Sequence, residues 1–259
     1  MKFGLWFCNT GRYVDPTPAV SLAQAAEAAG FESLWTVEHT IVPAGYSSAY
    51  PYAASGKMPG GREDFPLPDP LIWMAFVAAS TTTIKLGTGI LILPQHNPLL
   101  VAKQIATLDH LSRGRVLLGI GIGWLREEFA ALGVPFEARG ARTDEYVTAM
   151  RELWFAEKPT FNGRFVSFKD AYCRPQVGCI FGCCKNVGPL KQRVSGASGP
   201  WRGDIRWASL GHARPRLRGK SLRELLAIVP AQRQPQIARL FEAPHSMTQG
   251  DACMDPLHE

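Results

Sequence analysis

The sequence predicts a parallel α/β fold, either a doubly wound sheet or a (β/α)8 barrel, on three observations. Strand-like apolar runs alternate with amphipathic helical stretches four times within residues 1–176. The runs Ile84–Leu93 and Val116–Ile120 are apolar almost without interruption, as expected of strands buried on both faces. Three of the helical stretches open on proline-containing start signals, and two close on glycine.

Each element follows from its residues. Phe3–Phe7 reads as the first strand, and Asp15-Pro16 as part of the loop after it. Thr17 is positioned to cap a helix with Pro18 in its first turn, Ala19–Ala29 are strong helix formers, and Gly30 is a natural stop. Ser33–Val37 is a short buried-type strand ending in Glu38-His39, which completes a βαβ unit with an expected right-handed crossover. From Thr40 to Pro68 the pattern dissolves into Pro, Gly, Tyr and Ser. A loop longer than about 15 residues inside a compact domain is a lid or a disordered insert, and Tyr46, Tyr50, Tyr52 and Phe65 favour the lid.

Asp69-Pro70 opens a helix through Ala79. Gly87 and Gly89 interrupt the strand Ile84–Leu93, which implies a bulge or a close backbone approach. Asn97-Pro98 starts a helix that runs to Leu111, and Arg113-Gly114-Arg115 turns the chain into Val116–Ile120. Further helices are expected at about 126–132 and 143–155.

After Gln176 the texture changes to scattered Cys, Arg, Gly and Pro, with helical patterning only at 221–229 and about 235–242. The chain has 28 Lys+Arg against 22 Asp+Glu, residues 1–176 hold 16 of each, and residues 177–259 therefore carry the whole excess of +6. The division is thus 1–176 as the ordered portion and 177–259 as a basic tail. Its arginines are interspersed with Gly and Pro rather than with stacking aromatics, a poor fit to nucleic acid. A reading-frame shift near codon 176 would explain the lost patterning, the compositional jump and the basic excess together. The alternative is a divergent tail.

No apolar stretch approaches the roughly 18 residues needed to span a bilayer, and the N-terminus starts directly as a strand, so no membrane association and a cytoplasmic location are expected. Cys179-x3-Cys183-Cys184 lacks paired spacing and a nearby His, so no metal site is expected.

In either fold, ligands bind beyond the carboxyl ends of the strands. That rule selects Phe7 and Cys8, Glu38 and His39, Gly89–Pro94, and Gly121–Trp124. His39 titrates nearest neutrality, with a reference pKa of about 6.5. It could move a proton, orient a cofactor ring, or merely tidy a strand end beside Glu38. Adjacent residues of a strand face opposite ways, so the two share a role only if the strand has already ended. Gly119-x-Gly121-x-Gly123 misses the dinucleotide-loop spacing and its acidic partner. Its missing side chains would instead let a flat ring or a phosphate approach the backbone beside Trp124. Arg139 and Arg142 could contact phosphate, or be ordinary surface residues at a helix start.

Taken in order, Trp35-x-x-Glu38-His39, Asp69-Pro70-Leu71, Leu86-Gly-Thr-Gly-Ile-Leu-Ile-Leu-Pro94, Asn97-Pro98, Ala106-Thr-Leu-Asp109, Leu111-Ser-x-Gly-Arg115, Gly119-Ile-Gly-Ile-Gly-Trp124, Glu128-Phe129 and Arg139-Gly-x-Arg142-x-Asp-Glu145 resemble the luciferase-like monooxygenase superfamily, in particular its coenzyme F420-dependent oxidoreductases. The resemblance covers nearly all of residues 1–176. It implies a TIM barrel with a lid insertion, incomplete here because no fifth strand with a Gly-Gly phosphate loop is visible after Gln176. It implies cofactor at the strand C-termini, F420 or alternatively FMN, with His39 and Glu38 beside the ring as catalytic residues. A non-proline cis peptide near Gly89-Ile90 would back the ring, and Gly121, Gly123, Trp124, Arg139 and Arg142 would complete the cofactor contacts. The implied activity is hydride transfer between a deazaflavin and a small organic substrate, or flavin monooxygenation, in a possible homodimer. The substrate is not legible. An inert or purely cofactor-binding fragment is the reading from another class.

Overall fold

A computed structural model of the chain describes residues 2–58 and 61–177, together with the backbone of two short strands at 184–186 and 205–209. The order is β1 (Lys2–Trp6), α1 (Pro16–Ala28), β2 (Ser33–Thr36), α2 (Pro70–Ala78), β3 (Lys85–Thr88), β4 (Leu91–Ile92), α3 (Pro98–Leu111), β5 (Val116–Leu117), β6 (Gly119–Gly121), α4 (Arg126–Ala131), α5 (Arg139–Phe155), β7 (Phe161–Asn162), β8 (Ser167–Phe168), β9 (Cys184–Asn186) and β10 (Ile205–Ser209).

The wall is parallel throughout, in the order β10-β1-β2-β3-β5, continued above by β4-β6-β9. It is one arc of an incomplete (β/α) barrel, and register explains how it is packed. Leu5, Leu34, Leu86 and Val116 are successive partners across β1, β2, β3 and β5, and all four are buried against helix residues such as Ala23, Met74, Val77 and Ile105. The next rung pairs Trp6, Trp35, Gly87 and Leu117 on the opposite face, which is the barrel interior.

Trp35 fills that interior, and its indole Nε1 donates to Ser33 Oγ at 2.8 Å. A Cβ placed on Gly87 would lie 2.6 Å from two of its ring carbons. The close approach that the strand glycine implied is therefore an indole's. The break after Thr88 is equally local: the Gly89–Ile90 peptide is cis, and a 3-10 turn at Leu93–Gln95 follows β4.

Helix starts follow short-range chemistry. Asp69 Oδ1 accepts from the N–H groups of Leu71 and Ile72, both at 2.8 Å, and Asn97 Oδ1 from those of Leu99 and Leu100, at 2.9 and 3.3 Å. The first helix departs from expectation. It starts at Pro16, so Asp15 occupies the cap position and Thr17 lies inside the first turn. Helix α5 begins at Arg139 rather than at Thr143, one turn early, with Ala138 in left-handed conformation at its entry.

Two further differences concern strands. The hairpin β7–β8 was not visible as a pattern because only two residue pairs form it. Glu145 of α5 gathers the N–H groups of Arg164, Phe165 and Val166 at its turn. In the tail, where no strand was expected, β9 pairs with β6 and β10 with β1. An open parallel edge presents unpaired backbone groups that short extended segments can satisfy, and three to five residues carry too little periodicity to announce themselves. The helices expected at 221–229 and 235–242 lie outside the described residues.

Candidate functional site

The strand C-termini converge on the expected side chains. Strand β2 ends at Thr36, so Glu38 and His39 are already in loop conformation and the alternation rule no longer governs them. Asn9 holds this stretch in place. Its carboxamide donates to the carbonyls of Val37 and Pro68 at 2.8 and 3.0 Å, and accepts from the Val37 N–H at 2.9 Å.

His39 Nδ1 lies 2.9 Å from Glu128 Oε2, and the carboxylate is fully buried. Glu128 Oε1 also accepts from the backbone N–H groups of Thr40 and Ile41, at 2.7 and 3.3 Å. A carboxylate with one oxygen held by two amides presents the other as an acceptor. Nδ1 therefore carries the proton, and Nε2 is the ring nitrogen left outside this hydrogen bond. The ring edge meets Trp124 at a centroid distance of 5.8 Å. Trp124 is in turn edge-on to Tyr46 and Tyr50, so the lid is seated on the mouth through aromatic contacts.

Glu38 turns the other way. Its Oε2 accepts a close hydrogen bond from the Ile92 N–H, and Oε1 lies 2.9 Å from His96 Nε2. Burial opposes protonation of His96, but the hydrogen bond and charge of Glu38, with Asp69 and Glu128 nearby, hold its pKa above the ordinary value. Two histidine–carboxylate pairs thus occupy neighbouring strand ends. Sequence reading found one member of each. It stopped at Pro94, a residue short of Gln95-His96, and gave Glu128 no role although Glu128-Phe129 was among the recognised motifs.

Gly89 accepts a hydrogen bond from Trp6 Nε1 at 3.0 Å, and Trp6 stacks on Phe7 at 4.8 Å, which brings an aromatic pair to the cis peptide. Cys8, selected by the same strand-end rule, is wholly buried, donates to the Leu5 carbonyl, and has its thiol pushed up to about 12 by burial. It is unsuited to nucleophilic work.

The remaining selected residues face protein. The side chain of Ile90 lies directly over Gly121. Gly123 has φ +74°, and a Cβ there would be 2.7 Å from Phe129 and 2.8 Å from Ile92. Arg139 donates to the carbonyl of Gly123 at 3.1 Å and lies over the Phe136 ring. Arg142, 6% exposed, donates to the Pro135 carbonyl at 2.7 Å. These arginines pin the Gly121–Trp124 loop and the start of α5. The lid is pinned as well: Glu127 accepts from the amides and hydroxyls of Ser47 and Ser48, and those bonds hold its carboxyl at about 2.

A flat, hydrogen-bonding group fits the residues at this mouth. One histidine nitrogen is left outside the bond that fixes its ring, Trp124 stands against that ring, Trp6 donates to the Gly89 carbonyl, and the carboxamide nitrogen of Gln95 is buried without a partner.

The family model described as luciferase-like monooxygenase matches residues 1–190. An uncharacterised protein of Mycobacterium tuberculosis is 36% identical over 176 residues, 68% of this chain and 61% of that protein. An F420-dependent glucose-6-phosphate dehydrogenase of Kineococcus radiotolerans is 34% identical over 167 residues, 62% of this chain and 44% of the other. Among solved structures, a monooxygenase from Streptomyces bottropensis superposes with a TM-score of 0.53 at 31% identity, covering 68% of this chain and half of that one. The chain therefore spans between 44% and 61% of the length of the proteins it resembles.

Proposed function

The chain belongs to the luciferase-like monooxygenase family, and on that premise we propose that it carries the cofactor side of an F420-dependent oxidoreductase that passes hydride between the deazaflavin and a small organic substrate. The observation that carries this reading is the fixed His39–Glu128 pair at the end of β2, beside Trp124 and the Gly89–Ile90 kink. The relative named as F420-dependent supports the choice of cofactor.

Bound, the deazaflavin would supply or accept the hydride. The chain's own residues do the rest. His39 is the candidate catalytic residue: Glu128 fixes its tautomer, and Nε2 holds or delivers a proton at the substrate oxygen. Glu38, assigned to catalysis from its position, acts here through β4, since both its oxygens are committed to Ile92 and His96. Trp124 walls the site, and the lid seated on it excludes water. Arg139, Arg142, Gly121 and Gly123 keep the Gly-rich loop in shape beside the cofactor rather than presenting free donors. The substrate is a small molecule chosen largely by the lid. We place the protein in the cytoplasm, as a homodimer, and take residues 177–259 as a basic tail that lends the wall the strands β9 and β10.

A second reading is an FMN-dependent monooxygenase, whose class of reaction is that named for the solved monooxygenase. Titration of the purified chain with coenzyme F420 and with FMN, followed by fluorescence, decides between them. Saturable F420 binding tighter than FMN supports the proposal, and the reverse order supports the second reading. Binding of neither identifies an inert fragment.

A further inference from the structure

Gln95 closes the 3-10 turn after β4, next to His96 in the chain and in contact with Thr40, the residue after His39. It is 8% exposed, and its Nε2 is the one buried side-chain nitrogen or oxygen without a hydrogen-bond partner among the described residues. Its Oε1 receives the Thr40 hydroxyl at 3.5 Å. Thr40 in turn donates its N–H to Glu128, the carboxylate that fixes His39. Exchanging the amide's oxygen and nitrogen would not cure the defect, because the same two positions would then leave an acceptor unmet. Buried donors are satisfied almost without exception, and one left open costs free energy.

We propose that Gln95 is a ligand-binding residue, and that its carboxamide donates to an acceptor oxygen of the molecule bound at the barrel mouth. This rests on the family reading of the same site. Two sources share that chemistry: a ring carbonyl of the deazaflavin or flavin, and the carbonyl or hydroxyl oxygen of the substrate. Position in the network favours no third kind of group, since a cation would be repelled by the amide hydrogens and attracted to Glu38 and Glu128 instead.

The test replaces Gln95 with the near-isosteric, apolar methionine. In a Thr40→Val background, where no hydroxyl is left without its acceptor, ligand-free Gln95→Met should melt above the Thr40→Val protein, because an unmet buried donor has been removed. A lower melting temperature would show the amide to be satisfied within the chain and would overturn the proposal, whether or not any cofactor binds. In parallel, the unaltered protein and Gln95→Met are titrated with F420 and FMN, alone and in the presence of acetone as a small carbonyl probe. Cofactor binding weakened about five- to tenfold in Gln95→Met assigns the acceptor to the cofactor. Unchanged cofactor binding with loss of the acetone-dependent shift assigns it to the substrate oxygen. If the unaltered protein binds cofactor and Gln95→Met matches it in both titrations, the Gln95 inference fails alone. Binding of neither cofactor by either protein removes the proposed oxidoreductase function instead, and the melting comparison still judges Gln95.

Discussion

At the scale of single residues, the site is governed by which oxygen of each carboxylate is already taken. Glu128 has two amide donors on one oxygen and His39 on the other. In Glu128→Gln the amide nitrogen must turn away from the Thr40 and Ile41 N–H groups and toward His39. His39 then has to accept at Nδ1 and carry its proton on Nε2. Nitrogen NMR of the imidazole should report that tautomer switch, and unchanged Nδ1 protonation would refute the assigned geometry. The fold should lose about 1–3 kcal/mol, as for a weakened buried charge-assisted hydrogen bond. His96 gives a pH signature. Its pKa is raised in the folded state, so its pairing contributes stability fully below about 6.5 and loses it as pH rises through the raised value. The melting temperature of His96→Gln should show a flatter neutral limb than that of the unaltered protein. Sequence placed His39, Glu38 and Trp124 at strand ends because strand ends are local features. Their partners were beyond reach: Glu128 lies 89 residues from His39, and His96 lies 58 from Glu38.

At the scale of elements, what is decided within four residues was legible and what is decided across strands was not. The caps at Asp69 and Asn97 were visible in the sequence, and Asp69→Ala should cost about 1 kcal/mol in denaturant unfolding. The meaning of Gly87 was not, because only the fold brings Trp35 beside it. Gly87→Ala forces a methyl against the indole and should destabilise by about 1–3 kcal/mol. Trp35→Leu should relieve much of that in the double variant, whose melting temperature tests the coupling. The turn before β3 is tied to α1 by Glu27, whose carboxylate accepts from the amides of Thr82, Thr83 and Ile84. Although burial acts to raise its pKa, these bonds hold it at about 2. With the folded value depressed, that contribution is present above about 4.5 and lost as pH falls toward about 2. Glu27→Gln should flatten this acid limb.

At the scale of the whole molecule, the chain presents one arc of parallel strands whose two outer edges, β1 and β6, are paired by the backbones of β10 and β9. A chain ending at Gln176 would leave both edges bare, and it should sediment as aggregates or lose cooperative unfolding where the full chain stays monodisperse. The change of texture at that position was visible in composition alone, whereas the pairing was not, since three- and five-residue strands carry almost no pattern. The lid adds a mechanical coupling. Glu127 grips Ser47 and Ser48, and its immediate neighbour on α4, Glu128, aims His39. Any tension on the loop at those serines therefore reaches the proton-handling ring within a single peptide unit, so that seating the lid and setting the direction of the imidazole are one event rather than two.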